Sequence, residues 1–349
     1  MRTESDLRDQ RPGGGSPPLL EVEGLQKLFP VRRGLLASKA LIHAVDGVDL
    51  SIREGETLGL VGESGSGKST LARLVMRLLE PSEGRITYKG EDITHSTRRQ
   101  LSHIRREIQM VFQDPYGSLD SRMTVGAIVA EPMKIHGTYR RTRRRRVREL
   151  LELVGLSPEH ANRFPAQFSG GQRQRIGIAR ALGLEPRLLI LDEPVSALDV
   201  SIQAQVLNLL KSLQEQLGLT YLLIAHDLAV VRHLSNRLAV MYLGKIVETG
   251  DPRQIYTAPA HPYTQALLSA IPASDPDQRG KIKRIILPGD PPDPANPPSG
   301  CRFRTRCWKS QAICIEVEPE LIDRTGDDRL TSCHFAEPVR IRTSVIRTA

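Results

Sequence analysis

The stretch Thr57-Leu58-Gly59-Leu60-Val61-Gly62-Glu63-Ser64-Gly65-Ser66-Gly67-Lys68-Ser69-Thr70 decides the fold. Thr57–Val61 is almost wholly apolar, as in a strand buried on both faces. Gly62–Ser69 fits the pattern G-x-x-x-x-G-K-[ST] in full, and Leu71, Leu74, Val75 and Leu78 then recur at helical spacing. Gly62, Gly65 and Gly67 let the backbone turn its N–H groups into one concavity, and the helix N-terminus adds its own partial positive charge. Lys68 is placed to reach phosphate oxygens, and Ser69 offers an oxygen to Mg²⁺. Glu63, Ser64, Ser66 and Thr70 complete the lining. A strand, a glycine-rich turn and a helix in this order read as a phosphate-binding loop that opens an α/β fold.

Outward from the loop, Leu20-Glu21-Val22 and Val48-Asp49-Leu50-Ser51-Ile52 alternate with the period of half-buried strands. Leu188-Leu189-Ile190-Leu191 and Tyr221-Leu222-Leu223-Ile224-Ala225 read as two more buried strands, with a helical pattern over 206–217 between them. Strand–helix–strand order predicts a mainly parallel sheet covered by helices. The first of these strands ends in Asp192-Glu193, at the sheet edge where open α/β folds bind ligands. Asp192 then suits the Mg²⁺ shell and Glu193 suits polarising a water molecule. His226 ends the next strand, in register for a γ-phosphate. Helical patterns dominate 114–185, which reads as a helical subdomain.

The chain has 349 residues and a net charge of +9, with 39% apolar and only 4% aromatic residues. That length suits roughly two domains and a full core. The low aromatic share fits an α/β protein better than a β-sandwich. There is no run of 18 apolar residues, no apolar stretch behind the N-terminal charges and an Arg at position 2. A transmembrane helix, a secretory signal and N-myristoylation are therefore not expected. Residues 1–18 are polar and rich in Gly and Pro, as in a disordered tail. Seven of the nine residues Arg140–Arg148 are Arg. They lead into the helical pattern of 147–154 without interleaved aromatics, so a solvated helix face is favoured over a nucleic-acid contact.

Phe168-Ser169-Gly170-Gly171-Gln172 resembles the signature motif of ATP-binding-cassette (ABC) ATPases, with Phe168 in place of the usual Leu as in peptide-importer members. Ser169 and the Gly170-Gly171 backbone stand before a helix and offer a second anion cradle. The resemblance explains why one chain carries two: cassettes of this family pair head to tail, each signature closing over the partner's nucleotide. Gln113, in Phe112-Gln113-Asp114-Pro115, is similar to the Q-loop residue that touches Mg²⁺ and the attacking water. Asp199, in Ser196-Ala197-Leu198-Asp199, resembles the D-loop residue. His226 resembles the switch histidine, and Phe29 aligns with the aromatic that stacks on adenine. The resemblance covers roughly 20–270 and implies a hydrolytically competent ATP·Mg²⁺ site.

His261-Pro262-Tyr263-Thr264-Gln265-Ala266-Leu267-Leu268 resembles the C-terminal segment of ATPase subunits from oligopeptide and dipeptide importers, a trait shared with nickel and glutathione importers. Pro288-Gly289-Asp290-Pro291-Pro292 and Cys301-Arg302-Phe303 fit the same subgroup. Residues 271–349 read as a separate extension, proline-rich over 288–300. Its four cysteines, Cys301, Cys307, Cys314 and Cys333, can hold a [4Fe–4S] cluster or Zn²⁺, or remain free or disulfide-linked thiols. Some relatives carry a cluster on such cysteines, and the wide spacings count against zinc. Arg302, Arg304 and Arg306 are expected to offset the charge of a thiolate-bound cluster, with His334 as a reserve ligand.

The expected architecture is α/β: a P-loop ABC ATPase core with an N-terminal antiparallel β part, a helical subdomain over about 114–185 and a small C-terminal extension, the cassette itself spanning 19–270. The resemblance implies an ATPase subunit at the cytoplasmic face of the membrane, held there peripherally. Its implied partners are a second, related ATPase in a heterodimer, two transmembrane permease subunits and an extracytoplasmic binding protein. Nucleic acid is not expected as a partner; a soluble ABC ATPase acting on nucleic acid is the competing class. Its translation-type members carry two cassettes per chain and its DNA-repair members a long coiled coil before the signature, neither of which is found here.

Overall fold

The computed structural model describes residues 17–32, 39–114, 117–271 and 284–340. Most of the expected disordered tail, the Pro115-Tyr116 end of the Q-loop motif and part of the first hairpin lie outside the described residues. Two sheets build the molecule. The smaller is antiparallel and contains β1 (Leu20–Arg32), β2 (Lys39–Ile52), β4 (Glu83–Tyr88) and β5 (Glu91–Asp92) in the order β2-β1-β4-β5. The larger contains β3 (Thr57–Val61), β6 (Ile108–Val111), β7 (Leu188–Asp192), β8 (Thr220–Ala225), β9 (Arg237–Tyr242), β10 (Lys245–Gly250), β11 (Ile322–Asp323) and β12 (Leu330–Thr331). Its order is β11-β12-β10-β9-β3-β8-β7-β6.

Strands β6, β7, β8, β3 and β9 are parallel neighbours. Each crossover therefore needs a covering element. Helix α1 (Lys68–Val75) follows β3, α6 (Val200–Leu217) joins β7 to β8, and α7 (Leu228–Leu234) joins β8 to β9. Period-2 alternation along the central strands feeds two cores at once. Leu188 and Ile190 of β7, and Leu222 and Ile224 of β8, face the core shared with the antiparallel sheet and α1. Leu189, Leu191, Tyr221 and Leu223 face the other core, which the helical region completes.

That region holds α3 (Val125–Ile135), α4 (Arg143–Leu153) and α5 (Gly170–Leu182); α2 (Leu101–Glu107) precedes β6. Val125, Ile128 and Val129 of α3 and Val147, Leu150 and Leu151 of α4 are buried at the i, i+3, i+4 spacing of an apolar stripe. The arginine run forms the exposed opening of α4, where Arg145 and Arg146 lie 3.4 and 3.3 Å from Glu149. Among the described residues no helix is long and apolar enough to cross a membrane.

The C-terminal extension packs against the cassette. After α8 (Pro252–Thr257) and α9 (Pro262–Ser269), the chain passes α10 (Ile313–Glu316) and adds β12 to the edge of the main sheet, pairing Glu248 with Thr331 and Thr249 with Leu330. Phe303, fully buried, belongs to the same core as the central strands. A short proline-rich segment cannot bury enough apolar surface by itself, so it borrows the core of the cassette.

Candidate functional site

The phosphate-binding loop sits between β3 and α1. Gly67 adopts φ 107° and Gly62 φ 156°. A Cβ at Gly67 would stand 2.1 Å from the Ala44 carbonyl oxygen. Ser64 and Gly65 form the exposed lip, Ser66 is buried and Thr70 is half-buried in α1. Lys68 is buried, and its ammonium donates to the carbonyls of Gly62 and Glu63 at 2.8 Å each. Burial pulls its pKa down, while Glu193, Asp192 and Glu63 pull it up. Ser69 Oγ donates to Asp192 Oδ1 at 3.1 Å. Burial pushes the Asp192 carboxyl above its usual range against the bond from Ser69. A buried carboxylate beside a serine hydroxyl at a helix start suits a divalent cation, whose charge would offset its desolvation.

One residue on, Glu193 leaves the strand with φ 48°, a left-handed conformation costly for a non-glycine residue. Its amide still bonds the Ile224 carbonyl at 2.9 Å. Its carboxylate collects two partners: Gln113 Nε2 donates at 2.8 Å, and His226 Nδ1 lies at 3.1 Å. Gln113 follows β6 and His226 follows β8, so three neighbouring strands of the parallel sheet deliver the set. The structure thus brings together Lys68, Ser69, Asp192, Glu193, Gln113 and His226.

The other predicted residues lie apart from that set. Ser169 caps α5: its hydroxyl accepts from Gln172 N at 3.4 Å, and the Gln172 side chain accepts from Ser169 N at 3.1 Å. A Cβ at Gly171 would meet Ile202 Cγ2 at 2.4 Å, and one at Gly170 would meet Leu198 at 3.2 Å, so glycine lets α5 approach the start of α6. Asp199 is exposed at the N-cap of α6, where its carbonyl accepts from Ile202 and Gln203. Phe29 is half-buried in β1, opposite Ile42, with the Lys27 ammonium 5.2 Å above its ring.

The four cysteines, all free, line one cavity together with His334, His261 and Phe303. One expectation, the role of the arginines, needs correction here. Among the described residues no three His, Cys, Asp or Glu side chains are gathered as ligands of a metal ion, so no formed [4Fe–4S] or zinc ligand set is present. A tetrahedral zinc with Zn–S bonds of about 2.3 Å would need every pair of sulfurs within about 3.8 Å. Burial pushes the Cys301 and Cys333 thiols up to about 11. The arginines are spent elsewhere. Arg302 donates to the Leu243 carbonyl at 2.7 Å and pairs with Asp46, Arg306 pairs with Glu63 at 3.0 Å, and Arg304 donates to the Ser299 carbonyl. His334 Nε2 lies 3.0 Å from the Val317 carbonyl.

Tyr263, Arg302 and Arg306 reach the phosphate loop or its supports, and sequence reasoning missed all three in that role. The one available signal was His261-Pro262-Tyr263, a helix start with Pro at its first position.

A family model described as ABC transporter matches residues 45–196. A second, described as Oligopeptide/dipeptide transporter, C-terminal region, matches residues 247–314. The oligopeptide transport ATP-binding protein AppF of Bacillus subtilis is 53% identical over 91% of this chain and 97% of its own length. The dipeptide transport ATP-binding protein DppF of Haemophilus influenzae is 48% identical over 90% of this chain and 96% of its own. Among solved structures, the dimeric post-hydrolysis ATP-binding cassette MJ0796, bound to ADP and Pi, superposes with TM-score 0.59 at 32% identity. It covers 67% of this chain and 99% of its own. CbiO1 of Clostridium perfringens, part of the ABC transporter complex cbiONQ, gives TM-score 0.60 at 30% identity over 69% and 91%.

Proposed function

The chain belongs to the ABC-transporter ATPases of the oligopeptide/dipeptide class, and from that membership we propose that it hydrolyses ATP to power peptide uptake. The observation that carries the reading is the bonded set Gln113–Glu193–His226 at the ends of β6, β7 and β8, beside the Ser69–Asp192 pair. Phosphoryl transfer asks a protein mainly for positioning and charge stabilisation. The loop amides and Lys68 bind the phosphates. Glu193, held by Gln113, orients the attacking water and accepts its proton. His226, more than half exposed, is free to turn toward a γ-phosphate. Mg²⁺ would be held by Ser69, Asp192 and Gln113, where it would withdraw charge from phosphate oxygens.

Phe29 is the adenine platform in this reading. Ser169, Gly170, Gly171, Gln172 and Asp199 meet the nucleotide of a second, related cassette. Two permease subunits and an extracytoplasmic binding protein complete the machine at the cytoplasmic face of the membrane. Peptide as substrate is supported by relatives that share nearly the whole length of the chain. Glu193→Gln tests the core of this proposal. It should bind ATP with near-normal affinity and turn it over about 100-fold more slowly or worse. Turnover within a few-fold of wild type refutes the role of Glu193.

The finer reading of the extension is a [4Fe–4S] cluster on Cys301, Cys307, Cys314 and Cys333, with Zn²⁺ as the competing occupant. Its support is the shared cavity and the four-thiol donor set, which a cluster larger than a single ion can span. Bound there, a cluster would tie the cysteine loop to the strands beyond it. Anaerobically purified protein should carry about four irons and four sulfides per chain; protein free of iron and sulfide overturns this part and leaves the ATPase reading intact.

A further inference from the structure

The Gly62–Glu63 peptide of the phosphate loop is held on both sides. Its carbonyl accepts from Lys68 Nζ at 2.8 Å, and its N–H donates to the Tyr263 hydroxyl at 2.9 Å. The Glu63 side chain is held as well, 3.0 Å from Arg306 Nη1. Tyr263 lies 200 residues and Arg306 243 residues downstream of Glu63, in α9 and in the cysteine loop. Both are well buried. The ring of Tyr263 packs on Tyr242 at 4.6 Å and on Phe303 at 5.5 Å, so its hydroxyl has a fixed position.

A second route runs from the same loop. Arg302 donates to the Leu243 carbonyl and pairs with Asp46. The adjoining Gly244 N–H donates to the Ser66 carbonyl at 2.9 Å, and the Asp46 N–H donates to the Gly244 carbonyl at 2.9 Å. The segment Arg302–Arg306 thus meets the phosphate loop at Glu63 directly and at Ser66 through the β9–β10 turn.

We propose that Tyr263 and Arg306 are positioning residues for nucleotide binding, a brace that presets the phosphate-loop backbone. Lys68 now holds the Gly62 carbonyl, but it must release it to reach a phosphate. Once it does, Tyr263 alone holds that peptide plane. Loop N–H groups bind phosphate only when they point into one concavity, and a loop ordered beforehand binds at lower entropic cost. The brace therefore acts on ATP affinity rather than on the bond-breaking step. It rests on the reading of residues 62–69 as the ATP site, and it holds whatever occupies the cysteine cavity.

Tyr263→Phe keeps the ring and its packing and removes only the hydroxyl. In the full-length chain it should raise the KM and Kd for ATP·Mg²⁺ about three- to tenfold, as expected for one lost hydrogen bond. The kcat should stay within about twofold and the melting temperature should be nearly unchanged. Arg306→Ala should raise KM in the same direction, Arg306→Lys should restore part of it, and Arg306→Ala with Glu63→Gln should be no worse than the stronger single change. Unchanged KM in both Tyr263→Phe and Arg306→Ala overturns the brace, as do additive effects at Glu63 and Arg306 or a loss confined to kcat. Should Tyr263→Phe fold poorly, the Arg306 and Glu63 variants decide the matter alone. Wild-type protein that does not bind ATP sinks the functional reading instead, so the two failures are distinct.

Discussion

His261 shows how a single residue ties the stability of the extension to the nucleotide site. It is fully buried, and its Nδ1 accepts from the Tyr263 N–H at 3.0 Å, capping the helix that carries the brace tyrosine. An acceptor nitrogen must be unprotonated, and burial pulls this histidine down to about 3. The unfolded chain, with an ordinary histidine near pH 6.5, therefore binds more protons than the folded one between about pH 3 and 6.5. Stability present above pH 6.5 is lost as pH falls, by about 1.4 kcal/mol per unit within that window. Glu248 accepts the His261 N–H at 3.1 Å and works in the opposite sense, because burial raises its carboxyl. A His261→Asn variant isolates the term, since Asn also caps a helix but does not titrate. Between pH 7.5 and 5.5 the wild type should lose more thermal stability than His261→Asn. Parallel losses in the two proteins would mean that His261 is not the titrating group.

At the scale of elements, what the sequence made legible was local. The turn from β3 into α1 has its glycines, lysine and serine side by side, and the acids of Asp192-Glu193 stand at the end of an apolar run. Strands β7 and β8 were readable because they are buried on both faces and carry almost no polar residues. Gln113 was placed through its family motif and His226 already by its place at the end of an apolar strand, and their meeting at Glu193 follows from three neighbouring strands. What was not legible is the return of the chain. The pairing of β12 with β10 and the bonds from Tyr263 and Arg306 to Glu63 join residues with no shared local pattern. Alternate arginines between two cysteines looked like charge balance for a cluster, because spacing alone does not show which way each side chain turns. Arg302 and Arg306 turn instead to Asp46 and Glu63, carboxylates 256 and 243 residues away. The left-handed backbone at Glu193 was likewise invisible, since nothing in Leu-Asp-Glu-Pro announces a positive φ.

At the scale of the whole molecule, one chain holds one phosphate loop and one signature, and the two are not joined. Ser169 and Gln172 satisfy each other at the exposed start of α5, while Lys68 bonds to its own loop. Both groups therefore hold internal partners that a nucleotide lying between two chains would replace. That arrangement, with the paired cassettes among its structural neighbours, makes pairing the natural way to complete a site. Two copies of this chain would each bring a charge of +9, so self-pairing works against a repulsion that salt weakens. A Glu193→Gln chain alone, unable to clear its nucleotide and lacking the related partner, should pair with itself only weakly under saturating ATP and be a monomer with ADP. The dimer should tighten as salt rises from about 50 to 200 mM, a range over which screening grows markedly. Ser169→Arg, which adds a bulky cation at the signature, should abolish ATP-dependent pairing. A Glu193→Gln chain that binds ATP yet stays monomeric at every salt concentration rules out self-pairing and leaves the related cassette of the proposed reading to complete its site.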